Sequence, residues 1–206
     1  MARLPADSSS LLRTTTNSTS ALSLYLDGKP VLHVVDEATA FQAAKFLKDM
    51  SAKTTWDTLR ICWIDIYQGP PDIIISDAGK NFASEEFRQH AATIDIDIKE
   101  VLVEAHNSVG KVERYHGPLR RAYEILSNEL PSLSTNKEVI LQMAVKAVND
   151  SAGPDGIVPR LLVFGAYPRM TKDSPRRLPL QNELKPLIKL RRKCAVSTLN
   201  GRSAML

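Results

Sequence analysis

Apolar and polar positions alternate from Leu22 to Val35 around the pair Asp27-Gly28, which predicts a β-hairpin closed by a tight turn. Phe41 to Leu47 predicts a third strand. Between Thr54 and Gln68, Trp56, Leu59, Trp63 and Ile66 or Tyr67 recur at helical spacing, so this segment predicts a helix laying one face on the sheet, with both tryptophans in the core. Ile73-Ile74-Ile75-Ser76 reads as a short buried strand stopped by the turn-forming Asp77-Ala78-Gly79, which puts Asp77 on the strand tip. A helix over Ser84–Ala92, a strand over Ile96–Val103 and helices over Val109–Leu130 and Asn136–Asp150 follow. A hairpin and third strand, then alternating helices and strands, predict an α/β fold: an antiparallel section continued by a parallel one, with helices on both faces.

Composition changes this picture little, and charge changes it at one end. A chain of 206 residues holds one domain of about 150 plus tails. Residues 1–20, dominated by Ser, Thr, Asn and Ala, read as a disordered leader; 21–168 form the core domain, and 169–206 a basic tail. The net charge is only +4, yet residues 171–206 carry nine Lys or Arg against Asp173 and Glu183. Such a tail can release counterions from a polyphosphate, or serve solubility or localisation alone. Leu187 to Lys193 alternatively starts a strand of a further, truncated domain. No run approaches the roughly eighteen apolar residues of a membrane span, and the start lacks the apolar core of a secretory signal. An intracellular protein with no membrane partner is expected. Cys62 and Cys194 indicate neither a disulfide framework nor a zinc site. His33, His90, His106 and His116 lack metal-ligand spacing, and His33, alternating with Val31 and Val35, reads as a satisfied strand residue.

The chemistry is concentrated in Asp77 and Glu113, with 35 residues between them. Glu113 follows the cap-type Asn107-Ser108 and falls in an early helical turn. A carboxylate on a strand tip and another on a nearby helix can converge on a hard cation such as Mg²⁺, which takes oxygen ligands and shares phosphates with them. Taken singly, Asp77 reads as a turn residue bonding nearby backbone N–H groups, and Glu113 as a solvated helix residue pairing with Lys111 or Arg114.

Three stretches carry a resemblance: Tyr25 to Asp36, the run Ser76-Asp77-Ala78-Gly79-Lys80-Asn81-Phe82, and Asn107 to Arg121. Together they resemble the catalytic core of the integrases of retroviruses and LTR retrotransposons, members of the RNase H-like superfamily, over residues 21 to 165. Ile157 to Pro168 resembles the Pro, Leu, Phe-Gly, Pro segment that closes that region, and its apolar residues are expected to pack on the last helix. The resemblance implies an RNase H-like mixed sheet and DNA integration by polynucleotidyl transfer. It also implies two Mg²⁺ (or Mn²⁺) ions held by Asp, Asp and Glu, a homodimer formed through core helices, and a nuclear location if the protein functions. Asp77 and Glu113 match the second and third carboxylates. Arg120, seven residues after Glu113, stands where the family grips the DNA end with Lys, while the family's other Lys is Gly117 here. Lys111, Arg114 and Arg121 complete a basic helix face that is either solvated or in contact with DNA. His116, one turn past Glu113, lies over the phosphate or bonds a neighbour.

The resemblance breaks at the first carboxylate, whose position is Leu22. Asp27 lies about 16 Å along the strand from it and on the other face of the pleat. Residues opposite 22 are expected near 33 to 35, which makes Asp36 the nearer substitute; otherwise Asp36 is a solvated strand end and Asp27 a turn residue. The family's zinc domain, with its paired His and paired Cys, has no counterpart here, so a truncated or degenerate copy is expected. The alternative is a catalytically inactive DNA-binding or oligomerisation relic.

Overall fold

The computed structural model describes residues 17–67, 69–77, 79–100, 106–130, 136–153 and 156–166, without the side chains of 106–113. The leader up to residue 16, the tail from residue 167, Cys194 and the side chains of Lys111 and Glu113 therefore lie outside the described residues.

Asp27 and Gly28 both take positive φ, 50° and 72°, the type I′ geometry that suits a two-residue hairpin. They join β1 (Ser18–Leu26) to β2 (Lys29–Asp36) in antiparallel register, with Leu22 opposite His33, inside the expected window. β3 (Gln42–Phe46) extends the sheet antiparallel to β2. On the other side of β1, β4 (Ile73–Ser76) and then β5 (Asp97–Glu100) run parallel, giving the order β3-β2-β1-β4-β5. The expected mixed sheet is present.

Three expectations need correction. β1 starts at Ser18, inside the stretch read as leader. Thr19 and Ser20 are buried between β2 and β4, so small polar residues serve a central strand whose flanks supply the apolar contacts. Asp36 is not a solvated strand end: it is buried and accepts hydrogen bonds from the backbone of Thr39 at 3.0 Å and from the Thr39 hydroxyl. The helix expected over Thr54–Gln68 is α1 (Ala52–Leu59), capped by Ser51, followed by a π-helical turn at Arg60–Ile64. There Asp65 N donates to the Arg60 carbonyl at 2.9 Å. The wider turn re-phases the chain so that consecutive Trp63 and Ile64 are both buried, and Ile66 is left 62% exposed.

Residues 80–93 fold as a short helix α2 (Lys80–Ala83) and then α3 (Glu85–Thr93), whose N-cap Ser84 accepts from Phe87 N. α4 (His106–Glu129), α5 (Lys137–Asn149) and α6 (Pro159–Phe164) complete the chain. One core packs Ala21, Leu32, Val34 and Ile74 against Trp56, Leu59 and Trp63 of the α1 segment, Phe82 of α2 and Phe87 of α3. The other packs Leu24, Leu26 and Val31 against Leu119 and Tyr123 of α4 and Leu141 and Ala144 of α5. Alternation along β1 therefore sends odd positions 21 and 23 toward α1 and even positions 22, 24 and 26 toward α4. Arg160 at the start of α6 pairs with Asp150 at 3.3 Å, beside the end of α5, and Phe164 meets Phe41 edge-on. Among the described residues no helix is long and apolar enough to cross a membrane.

Candidate active site

Parallel pairing of β1 with β4 sets the site. Ala21 pairs with Ser76, the last bridged residues, so the next step along both strands brings Leu22 beside Asp77. Adjacent strands lie about 4.8 Å apart. Asp77 is half-buried at the strand tip, and its Oδ1 accepts from Gly79 N at 3.3 Å. Burial raises its carboxyl above the ordinary aspartate value, and the Gly79 N–H opposes that shift only in part.

Across β1, Leu22 faces His33, which is fully buried with Nε2 2.9 Å from Gln42 Oε1. His116 of α4 stands over it, ring centroids 5.0 Å apart, so α4 crosses the sheet along the row that contains Leu22. Desolvation first, and His116 second, lower the His33 pKa to about 3. Glu113 lies on α4 three residues before His116. Positions three apart share a helix face about 4.5 Å apart along the axis. The fold thus brings the Glu113 segment of α4 within one turn of His116, which packs on His33, the residue paired with Leu22.

The other candidate acids are elsewhere. Asp36 is opposite Thr19, three rungs from Leu22 and on the other face of the pleat, with its carboxylate already engaged by Thr39. Asp27 accepts from Tyr123 Oη at 3.0 Å and pairs with Lys137 at 2.8 Å, tying the hairpin turn to α4 and α5. Sequence reasoning missed Glu37, whose carboxylate accepts from Ser20 Oγ at 3.1 Å, two residues down β1 on the face of Leu22. It also missed Asn81, buried behind Asp77, although the Asn-Phe pair that contains it was visible in the motif. Arg114, Arg120 and Arg121 are exposed on α4, and Arg114 and Arg121 are two turns apart on one side.

Among the described residues the donor set does not fit a pair of divalent ions. Asp77 offers a carboxylate, but the neighbouring Leu22 is a hydrocarbon with no oxygen to offer a cation. Among the described residues no group of three His, Cys, Asp or Glu side chains is placed to hold a metal.

No family model matches the chain. An uncharacterized protein of Caenorhabditis elegans is 30% identical over 147 residues, 71% of this chain and 11% of that relative, so the chain spans about a tenth of its length. The crystal structure of the catalytic core domain of BIV integrase superposes with a TM-score of 0.62 at 16% identity, covering 73% of this chain and 95% of that one. The chain thus shares the fold of that catalytic core domain, a five-stranded mixed sheet with helices on both faces.

Proposed function

We propose that residues 21–168 are the core of a DNA integrase whose phosphoryl-transfer chemistry is disabled at Leu22 while its nucleic-acid surface is kept. The observation that carries this reading is the strand register that seats Leu22 beside Asp77. Asp77 and Glu113 are the remaining carboxylates, and Mg²⁺ or Mn²⁺ is held weakly by them. The exposed Arg114, Arg120 and Arg121, with Lys111, form the DNA-facing side of α4.

The test is a 3′-end processing and strand-transfer assay on duplex DNA with Mg²⁺ and with Mn²⁺. If the lost ligand is worth about 4 kcal/mol, the unaltered chain is slower by on the order of a thousandfold. Leu22→Asp should recover activity if the rest of the site survives. Strand transfer by the unaltered chain at an ordinary rate overturns the proposal, and no recovery in the variant means that damage extends beyond residue 22.

A second reading, self-association without a nucleic-acid role, is favoured by one feature. Val139 and Met143, one turn apart on α5, and Ile125 on α4 are 49%, 41% and 51% exposed. A homodimer through these helices would cover them.

A further inference from the structure

Asn81 is 3% exposed, in α2, four residues after Asp77. Its Nδ2 lies 3.2 Å from Thr55 Oγ1 on α1 and 3.5 Å from Ser23 Oγ on β1. The polarity of this arrangement is fixed. Thr55 is fully buried and its hydroxyl donates to the Ser51 carbonyl at 2.8 Å, so toward Asn81 that oxygen can only accept. The amide nitrogen must therefore face Thr55, which turns Oδ1 toward the Asp77 turn. A Cβ at residue 79 would stand 2.8 Å from Asn81 Oδ1 and 2.9 Å from Asp77 Oδ1. Gly79 has φ −59°, open to any residue, so space rather than dihedral angle demands glycine there.

We propose that Asn81 is a positioning residue for Asp77: its carboxamide ties the Asp77-to-Gly79 turn to α1 and to Ser23, the residue after Leu22, and so fixes the carboxylate beside position 22. The tie acts from the α1 side of the sheet. Asp77 and Leu22, by alternation, face the α4 side, so the clamp leaves the carboxylate face clear. The inference rests on the proposed site only for why Asp77 matters; the tie itself is testable with neither DNA nor metal.

The experiment follows hydrogen exchange at the Gly79 amide of the whole chain, together with the amide ¹H and ¹⁵N chemical shifts of Asp77 and Gly79 at a single pH. Compared are the unaltered protein, Asn81→Ala, Thr55→Val and Thr55→Ser. In Asn81→Ala and Thr55→Val the Asp77 and Gly79 amide signals should move toward random-coil values as the turn opens to water. The Gly79 amide should exchange about tenfold faster or more. Thr55→Ser, which keeps the acceptor, should retain both values. A lower melting temperature with the Asp77 and Gly79 signals and Gly79 exchange unchanged overturns the proposal, since loss of packing alone predicts that result. If Asn81→Ala does not fold, the near-isosteric Thr55→Val carries the comparison. Should the unaltered chain transfer strands at an ordinary rate while the Gly79 exchange responds to Asn81→Ala, the proposed function fails and the tie stands.

Discussion

Burial decides what each titratable side chain of the site contributes. Asp77 is held in a half-buried strand end whose desolvation raises its carboxyl above the ordinary aspartate value, opposed in part by the Gly79 N–H. His33 shows the same principle with the opposite sign. Its folded pKa is about 3 against an unfolded 6.5, so between those values the unfolded chain binds a proton that the folded chain refuses. The stabilisation is complete above pH 6.5 and is lost as pH falls toward 3, with a limiting slope of about 1.4 kcal/mol per pH unit. Chemical denaturation at a series of pH values should therefore show a shallower acid dependence for His33→Leu than for the unaltered chain. Equal slopes would mean that the imidazole is charged in the fold. Sequence alone placed His33 on a strand between Val31 and Val35 as a satisfied residue; the structure places it on that strand and satisfies it only at Nε2, with Nδ1 buried and without a hydrogen-bond partner among the described residues. Its Gln42 partner was not legible, because a hydrogen bond between β2 and β3 depends on a register that alternation does not specify.

At the scale of elements, the hairpin, the Asp77 strand and the α5 helix were legible because each has a strong local cause: the Asp27-Gly28 turn, three consecutive isoleucines, and Asn136 as an N-cap accepting from Glu138 N. The start of β1 and the π turn were not. Ser18 to Ser20 have no apolar period and are strand only because β2 and β4 flank them, and the extra residue of the π turn is set by the fit of Trp63 and Ile64 to the sheet. α4 holds a second tension between local preference and fold, since it carries Pro118 internally. Pro118 has no N–H to give to the Arg114 carbonyl, and a residue before proline resists helical dihedrals. Gly117 relieves the second problem by lacking a Cβ, and nothing packs where that Cβ would be. Pro118→Ala restores the missing donor at an exposed position and should stabilise the protein, by up to about 3 kcal/mol. A lower melting temperature in calorimetry would instead mean that Pro118 helps fit α4 to the sheet, holding the turns bearing His116 and Leu119 to their separate contacts.

For the whole molecule, the integrase-core architecture was visible in the order of elements, while the question of function turns on surfaces. Binding to duplex DNA should weaken steeply with salt, and Arg120→Ala with Arg121→Ala should lower the slope of log affinity against log salt by about 2. An unchanged slope removes these side chains from the interface, and no binding at low salt leaves self-association through α4 and α5, read by light scattering. The sheet edges bear on how such association proceeds. β5 ends the sheet with Asp97, Lys99 and Glu100 exposed along four residues, and Arg88 of α3 pairs with Glu100. Short edges carrying charge are poor templates for another chain's backbone. The described edge at β5 thus guards against fibril-like stacking, so copies of the chain can accumulate at high concentration without seeding amyloid from that side.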